Sequence, residues 1–274
     1  MEKKERTSVS LKTVNERQKE FYGNFKKNRV TKFWYGLRNG LLRNIRKNIG
    51  AETQIYNLHK EWFGDLSNKK VLDLGCYAGN SLSYYLAENS LSYLGIDLSE
   101  KAINTLNVKL KNLEHAEARA VDFLSNDFQE KDFDLIYAYG VLHHFEDVDF
   151  LINKLNEKLN DQGTVISYDP LKTDLLVKVA RGIYRPFQSD KDWEWPFSKQ
   201  TYYKFAQAFQ VKDRRGMLGK AKWFFLLDFL PIPNIKKKEI GKKWHQKDWE
   251  NSKLSDAYLF KCLHITMLMQ KKET

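Results

Sequence analysis

Between residues 71 and 169, short apolar runs alternate with stretches whose apolar residues recur every three or four positions. Residues 71–74, 93–96, 116–121, 133–139 and 164–169 read as strands, four of them so uniformly apolar that both faces should be covered. Between them Leu82, Tyr85 and Leu86, then Ala102, Ile103, Leu106 and Leu110, then Val148, Leu151, Ile152, Leu155 and Leu159 follow helical spacing. Ser99 is placed to cap the second of these helices, and Asp161-Gln162-Gly163 to turn the chain into the fifth strand. Five strands with four intervening helical segments predict an α/β fold, a doubly wound and mostly parallel sheet. Upstream, residues 31–49 carry Phe33, Leu37, Leu41, Ile45 and Ile49 at intervals of four, a basic amphipathic helix closed by Gly50. A second helix through Ile55, Leu58 and Trp62 follows. Residues 1–68 are therefore expected to form a basic N-terminal helical cap on a domain of residues 69–274.

Two segments exceed what a plain crossover needs. Residues 170–208 carry Arg181, Tyr184, Arg185, Trp193, Trp195 and Phe197 with Asp190 and Asp192, suiting either an acceptor lid or a self-packed aromatic cap. Residues 218–260 place the apolar run 223–233 beside Lys236, Lys237, Lys238, Lys242 and Lys243. That pairing suits an anionic bilayer surface or a lipid-linked substrate, and equally core packing or a dimer face.

The stretch Val71-Leu72-Asp73-Leu74-Gly75-Cys76-Tyr77-Ala78-Gly79 is the one on which the chemistry turns. A buried strand ends in a glycine turn and a helix begins at once, so the backbone can pass close to a ligand, and free N–H groups at the helix start would favour an anion. The glycine spacing is Gly-x-x-x-Gly, not the Gly-x-Gly-x-x-Gly of dinucleotide binders. Asp97 ends the next strand 22 residues after Gly75, the separation at which a doubly wound sheet sets a carboxylate on a ribose diol.

At these residues the chain resembles the class I S-adenosylmethionine-dependent methyltransferases. The resemblance implies S-adenosyl-L-methionine as cofactor, bordered by Asp73, Gly75, Cys76, Tyr77, Gly79, Asp97, Leu98, Asp122, Phe123 and Tyr139. It makes Asp122 the acceptor from the adenine amino group, with Phe123 beside the ring; from the residues alone Asp122 serves equally as a strand-end or N-cap aspartate. The family's sheet has seven strands, so residues 209–215 and 264–270 are expected to supply the last two, the final one antiparallel. His143 and His144 sit just past strand four, where such enzymes face the reactive methyl. A base there contributes about 10²- to 10⁴-fold when the acceptor is a hydroxyl; one of the two, His143 by preference, is expected to act, the alternative being that both cap the next helix and proximity alone drives transfer.

Charge is divided unevenly. Residues 71–169 hold 7 Lys and Arg against 17 Asp and Glu, a net of −10 that leaves +21 on the rest of a chain whose total is +11. The flanks therefore either form a solvated basic surface or face an anionic acceptor, membrane or RNA. The chain lacks an Asn-Pro-Pro-Tyr motif after strand four, and Cys76 and Cys262 lie where neither could attack a cytosine. These absences disfavour base methylation and leave ribose or other RNA methylation as the second choice. The two cysteines have no metal-ligand spacing, no metal site is expected, and a reducing compartment follows. With no signal peptide and no long apolar run, the expected protein is cytoplasmic, with peripheral membrane contact left open and a small-molecule, amphipathic or lipid-linked acceptor.

Overall fold

A computed structural model describes residues 29–184 and 194–272. Helices α1 (Arg29–Ile49) and α2 (Ala51–Phe63) lead into β1 (Lys70–Leu74), α3 (Ser81–Asn89), β2 (Ser92–Asp97), α4 (Glu100–Leu110), β3 (Ala116–Ala120) and β4 (Phe133–Tyr139). A 3₁₀ turn (Leu142–His144), α5 (Val148–Lys158) and β5 (Leu159–Pro170) follow, then α6 (Leu175–Tyr184), α7 (Lys199–Ala208) and β6 (Phe209–Met217). A 3₁₀ helix (Ala221–Phe229), α8 (Asn234–Leu254), α9 (Asp256–Leu259) and β7 (His264–Lys271) complete the order. The seven strands form one sheet in the order β3-β2-β1-β4-β5-β7-β6. β1 to β5 pair in parallel, and β7 runs antiparallel between β5 and β6, as expected for the last strand.

Two expectations inside the sheet are corrected. Asp161-Gln162-Gly163 is not a turn: β5 begins at Leu159, which pairs with Phe133, and a register shift takes up the extra residues. A Cβ on Gly163 would lie 2.8 Å from the Phe133 carbonyl oxygen, so the glycine serves strand approach instead of chain reversal. The connection from β3 to β4 also contains no helix. Asp122 caps a local turn by accepting from the Leu124 N–H at 2.9 Å, and Phe123, Leu124 and Phe128 fill the sheet face from a loop.

The helices bury one stripe each. Ser99 caps α4 as expected, accepting from the Ala102 N–H, and Ala102, Ile103, Leu106 and Leu110 face the sheet. Along the apolar line of α1, Ile45 and Ile49 at the C-terminal end are buried, whereas Phe33 is 67% and Leu41 37% exposed. That end packs with the 3₁₀ helix and α8, where Phe224 and Leu227 are buried and Phe229 stands out at 82% exposure. The apolar run 223–233 is thus divided, one side packed and one side open. No described helix is long and apolar enough to cross a membrane.

His59 ties α2 to the sheet. Its Nδ1 lies 3.1 Å from the Tyr137 hydroxyl on β4, and its Nε2 2.7 Å from Thr266 Oγ1 on β7. One imidazole therefore holds the N-terminal helices against the carboxyl-end half of the sheet, where the glycine turn also lies.

Candidate active site

The glycine turn is built as the sequence spacing requires. Gly75 and Gly79 have φ of +71° and +74°, and Tyr77 between them adopts +48° with its ring 65% exposed. A Cβ on Gly75 would sit 2.4 Å from Val141 Cγ2, so the turn presses directly on the segment after β4. The N–H groups of Gly75 and Cys76 both bond to the Ile96 carbonyl, fastening the turn to β2. Cys76 is buried against Gly95 and burial pushes its thiol far above the usual range, so it fills space beneath the turn.

The start of α3 differs from expectation. Its first N–H groups are not free for an anion: Asn80 Oδ1 accepts from Leu82 at 2.8 Å and Ser83 at 3.1 Å, while Ser83 Oγ accepts from the Asn80 N–H. A reciprocal cap fills the position that a pyrophosphate would take in a dinucleotide binder.

Asp97 closes the other side. Its Oδ2 accepts from the Tyr77 N–H at 3.1 Å and its Oδ1 from the Ser99 N–H at 2.8 Å. Burial raises its pKa, and the Ser99, Tyr77 and Leu98 N–H groups and the His144 charge pull it back. Each oxygen keeps a second lone pair, so the carboxylate can still accept from a diol. Gly140, at φ +74° past the end of β4, has nothing within 4 Å of the place a Cβ would occupy, so the crevice floor there is open. Turn, carboxylate and open floor fit an adenosyl cofactor.

Other residues expected at the site lie deeper. Asp73 is 2% exposed beneath the turn, where Tyr93 donates to its Oδ2 at 2.8 Å; burial raises its pKa to about 6. Phe123 is 3% exposed among Phe128 and Phe145, in the core. Tyr139 stacks on Tyr168 with ring centroids 4.6 Å apart.

The residue that local pattern could not supply is Asp169. Its Oδ1, at the carboxyl end of β5, accepts from both the backbone N–H and the Nδ1–H of His143, at 3.1 and 2.9 Å. Oδ2 is buried without a partner, and burial pushes the carboxyl well above its usual range. Two donors on one oxygen fix the imidazole tautomer, leaving Nε2 as the basic nitrogen. An acid at the end of the strand beside a histidine-bearing one was the only available signal. The His144 ring lies 4.1 Å from that of His143, tilted by 37°, and its electrostatic influence reaches both Asp97 and Asp169.

Residues 72–165 match the family model described as a methyltransferase domain. Over that segment the chain is similar to S-adenosylmethionine-dependent methyltransferases. The chain is 29% identical over 109 residues to a phosphoethanolamine N-methyltransferase of Plasmodium falciparum, covering 39% of this chain and 41% of that one. It is 30% identical over 113 residues to a tRNA U34 carboxymethyltransferase of Campylobacter jejuni subsp. doylei, covering 40% and 38%. The matches span less than half the length of these relatives. Among solved structures, the geranyl diphosphate C-methyltransferase of Streptomyces coelicolor A3(2) superimposes with a TM-score of 0.55 at 11% identity, covering 81% of each chain. That likeness concerns the fold.

Proposed function

We propose that the protein transfers the methyl group of S-adenosylmethionine to a small-molecule acceptor, with His143 as general base and Asp169 as the residue that positions it. The observation that carries the proposal is the convergence, at one end of the sheet, of the Asp97-bound glycine turn and the His143–Asp169 pair. The cofactor supplies a methyl group already activated by the sulfonium charge. Gly75, Tyr77, Gly79 and Asp97 hold the adenosyl end, with Asp122 near the base, and the open floor at Gly140 leaves room beside them. His143 takes the acceptor's proton on Nε2, and Asp169, costly to keep ionised where it stands, is stabilised by the imidazolium that results. The relative named for phosphoethanolamine supports a small acceptor. The one named for tRNA, with the basic flanks, supports RNA as the second reading.

The test is transfer of labelled methyl to a cell extract separated into lipid, RNA and small-metabolite fractions. Label in metabolites or lipid upholds the reading, and label confined to RNA replaces it with the second. With the acceptor in hand, His143→Ala is expected to lower kcat by about 10²-fold or more. Asp169→Asn should lower kcat and shift its pH profile while leaving cofactor affinity unchanged. Near-normal turnover in both would leave proximity as the mechanism.

A further inference from the structure

Beside His143 and Asp169 the carboxyl end of the sheet carries a second polar group to which methyl transfer assigns no task. Arg46, from the docked end of α1, reaches β7, its Nη2 lying 3.1 Å from Nε2 and 3.5 Å from Nδ1 of His264. Its Nε is buried with no acceptor, and no carboxylate among the described residues pairs with it. An unanswered donor on a half-buried guanidinium carries a desolvation penalty that helix docking alone does not require.

Three rings line up next to it. Tyr139, Tyr168 and His264 come from β4, β5 and β7, with centroids 4.6 and 5.3 Å apart and planes within 12° and 5° of parallel. Tyr139 and Tyr168 are register partners on their strands. Burial raises the pKa of both phenols, Tyr168 to about 12, so both are O–H donors at neutral pH, and the Arg46 charge reaches each. Glu52 and, at Tyr168, Asp169 act on these phenols from farther off. Tyr56 stands edge-on to Tyr139 and its hydroxyl faces the Ser81 side chain, which opens the helix after the glycine turn. The cluster therefore borders the cofactor crevice directly.

We propose that Arg46 and the Tyr139 and Tyr168 hydroxyls form an oxyanion subsite that holds a phosphate monoester on the acceptor. This rests on the methyl-transfer reading and adds the substrate class. A guanidinium and two phenols present donors from a helix and two strands, and a terminal phosphate offers three oxygens to receive them. The phosphate belongs either to a soluble metabolite or to a lipid headgroup.

The experiment is calorimetric titration of the full chain with O-phosphoethanolamine, with ethanolamine as the phosphate-free control, and in parallel sedimentation with vesicles containing phosphatidic acid. Wild-type protein is expected to bind the phosphorylated probe and not ethanolamine. Arg46→Gln should weaken binding by about tenfold or more, and Tyr168→Phe, which removes only a hydroxyl, by about threefold to tenfold. Both variants should keep wild-type affinity for S-adenosylmethionine, which also verifies that they fold. Arg46-dependent binding to vesicles alone would uphold the subsite with a lipid source. Binding that ignores Arg46, or no binding in either format, overturns it. Failure of the methyl-transfer reading is a different result: wild-type protein that does not bind S-adenosylmethionine.

Discussion

His59 gives the sharpest quantitative expectation, because its hydrogen bonds fix its tautomer. Thr266 Oγ1 donates to the Ser167 carbonyl at 2.7 Å, so toward His59 it can only accept, and Nε2 carries the proton. Nδ1 then accepts from the Tyr137 hydroxyl. Charging the ring would put a proton on Nδ1 where the Tyr137 hydroxyl now donates, and burial lowers the pKa to about 3. The unfolded chain protonates near its ordinary value, about 6.5. With the folded pKa the lower of the two, stability is complete above the unfolded value and falls as the pH drops from there toward the folded one. Moving from about pH 8 to about pH 5 costs on the order of 2 kcal/mol through this residue alone. Asp73, raised to about 6, shifts stability the opposite way over part of the same range, so the reading must be a difference. His59→Gln keeps one donor and one acceptor without titrating. Urea unfolding of both proteins at the two pH values should show the wild type losing about 2 kcal/mol more than the variant. Equal losses would mean that His59 is charged, or free to charge, in the folded state.

Asp97→Ala should weaken S-adenosylmethionine binding by about tenfold or more in calorimetry, since it frees the Tyr77 N–H as well as removing the ribose contact; unchanged affinity would refute the assignment. Gly75→Ala would drive a Cβ into Val141, so cofactor affinity should fall by a similar factor, and adding Val141→Ala should restore only part of it because the positive φ remains strained. His245 is 2% exposed with neither ring nitrogen partnered and a pKa lowered to about 4, so His245→Leu should raise thermal stability by about 1–2 kcal/mol; destabilisation would point to a partner that His245 serves. If the exposed side of the 3₁₀ helix, Leu226 and Phe229, meets a bilayer, the protein should float with anionic liposomes at low salt and Phe229→Ser should reduce it; failure to float confines that face to protein contacts.

The strands were legible where both faces are covered: apolar runs such as 133–139 leave little choice of structure, and the cap at Ser99 follows from one residue type before a helical stripe. The loop from β3 to β4 was not, since Phe123, Leu124 and Phe128 have spacing compatible with a short helix and only the sheet they cover decides otherwise. Asp161-Gln162-Gly163 has turn composition, yet the pull of Leu159 into the core keeps it extended. On α1 the apolar spacing runs the full length, yet Ile45 and Ile49 are buried while Phe33 and Leu41 stay exposed. At the site, Gly75, Gly79 and Asp97 could be read because one turn and one strand end bring them together. Asp169 could not, because its meeting with His143 depends on the register of β5 against β4. Arg46 and His264 are 218 residues apart and share no local pattern.

The segment that matches the methyltransferase family ends at residue 165, four residues before Asp169. Tyr139 and His143 fall inside it; Arg46, Tyr168, Asp169 and His264 fall outside, supplied by the first described helix and by strands that complete the sheet. The division makes the chain modular in an unusual sense, for the part that would hold the methyl donor is contiguous, while the part that would choose the recipient joins Tyr139 and His143 of that segment to residues before and after it and exists only once they have met. Exchanging the stretches before and after the family segment between relatives is therefore the natural route to a new acceptor.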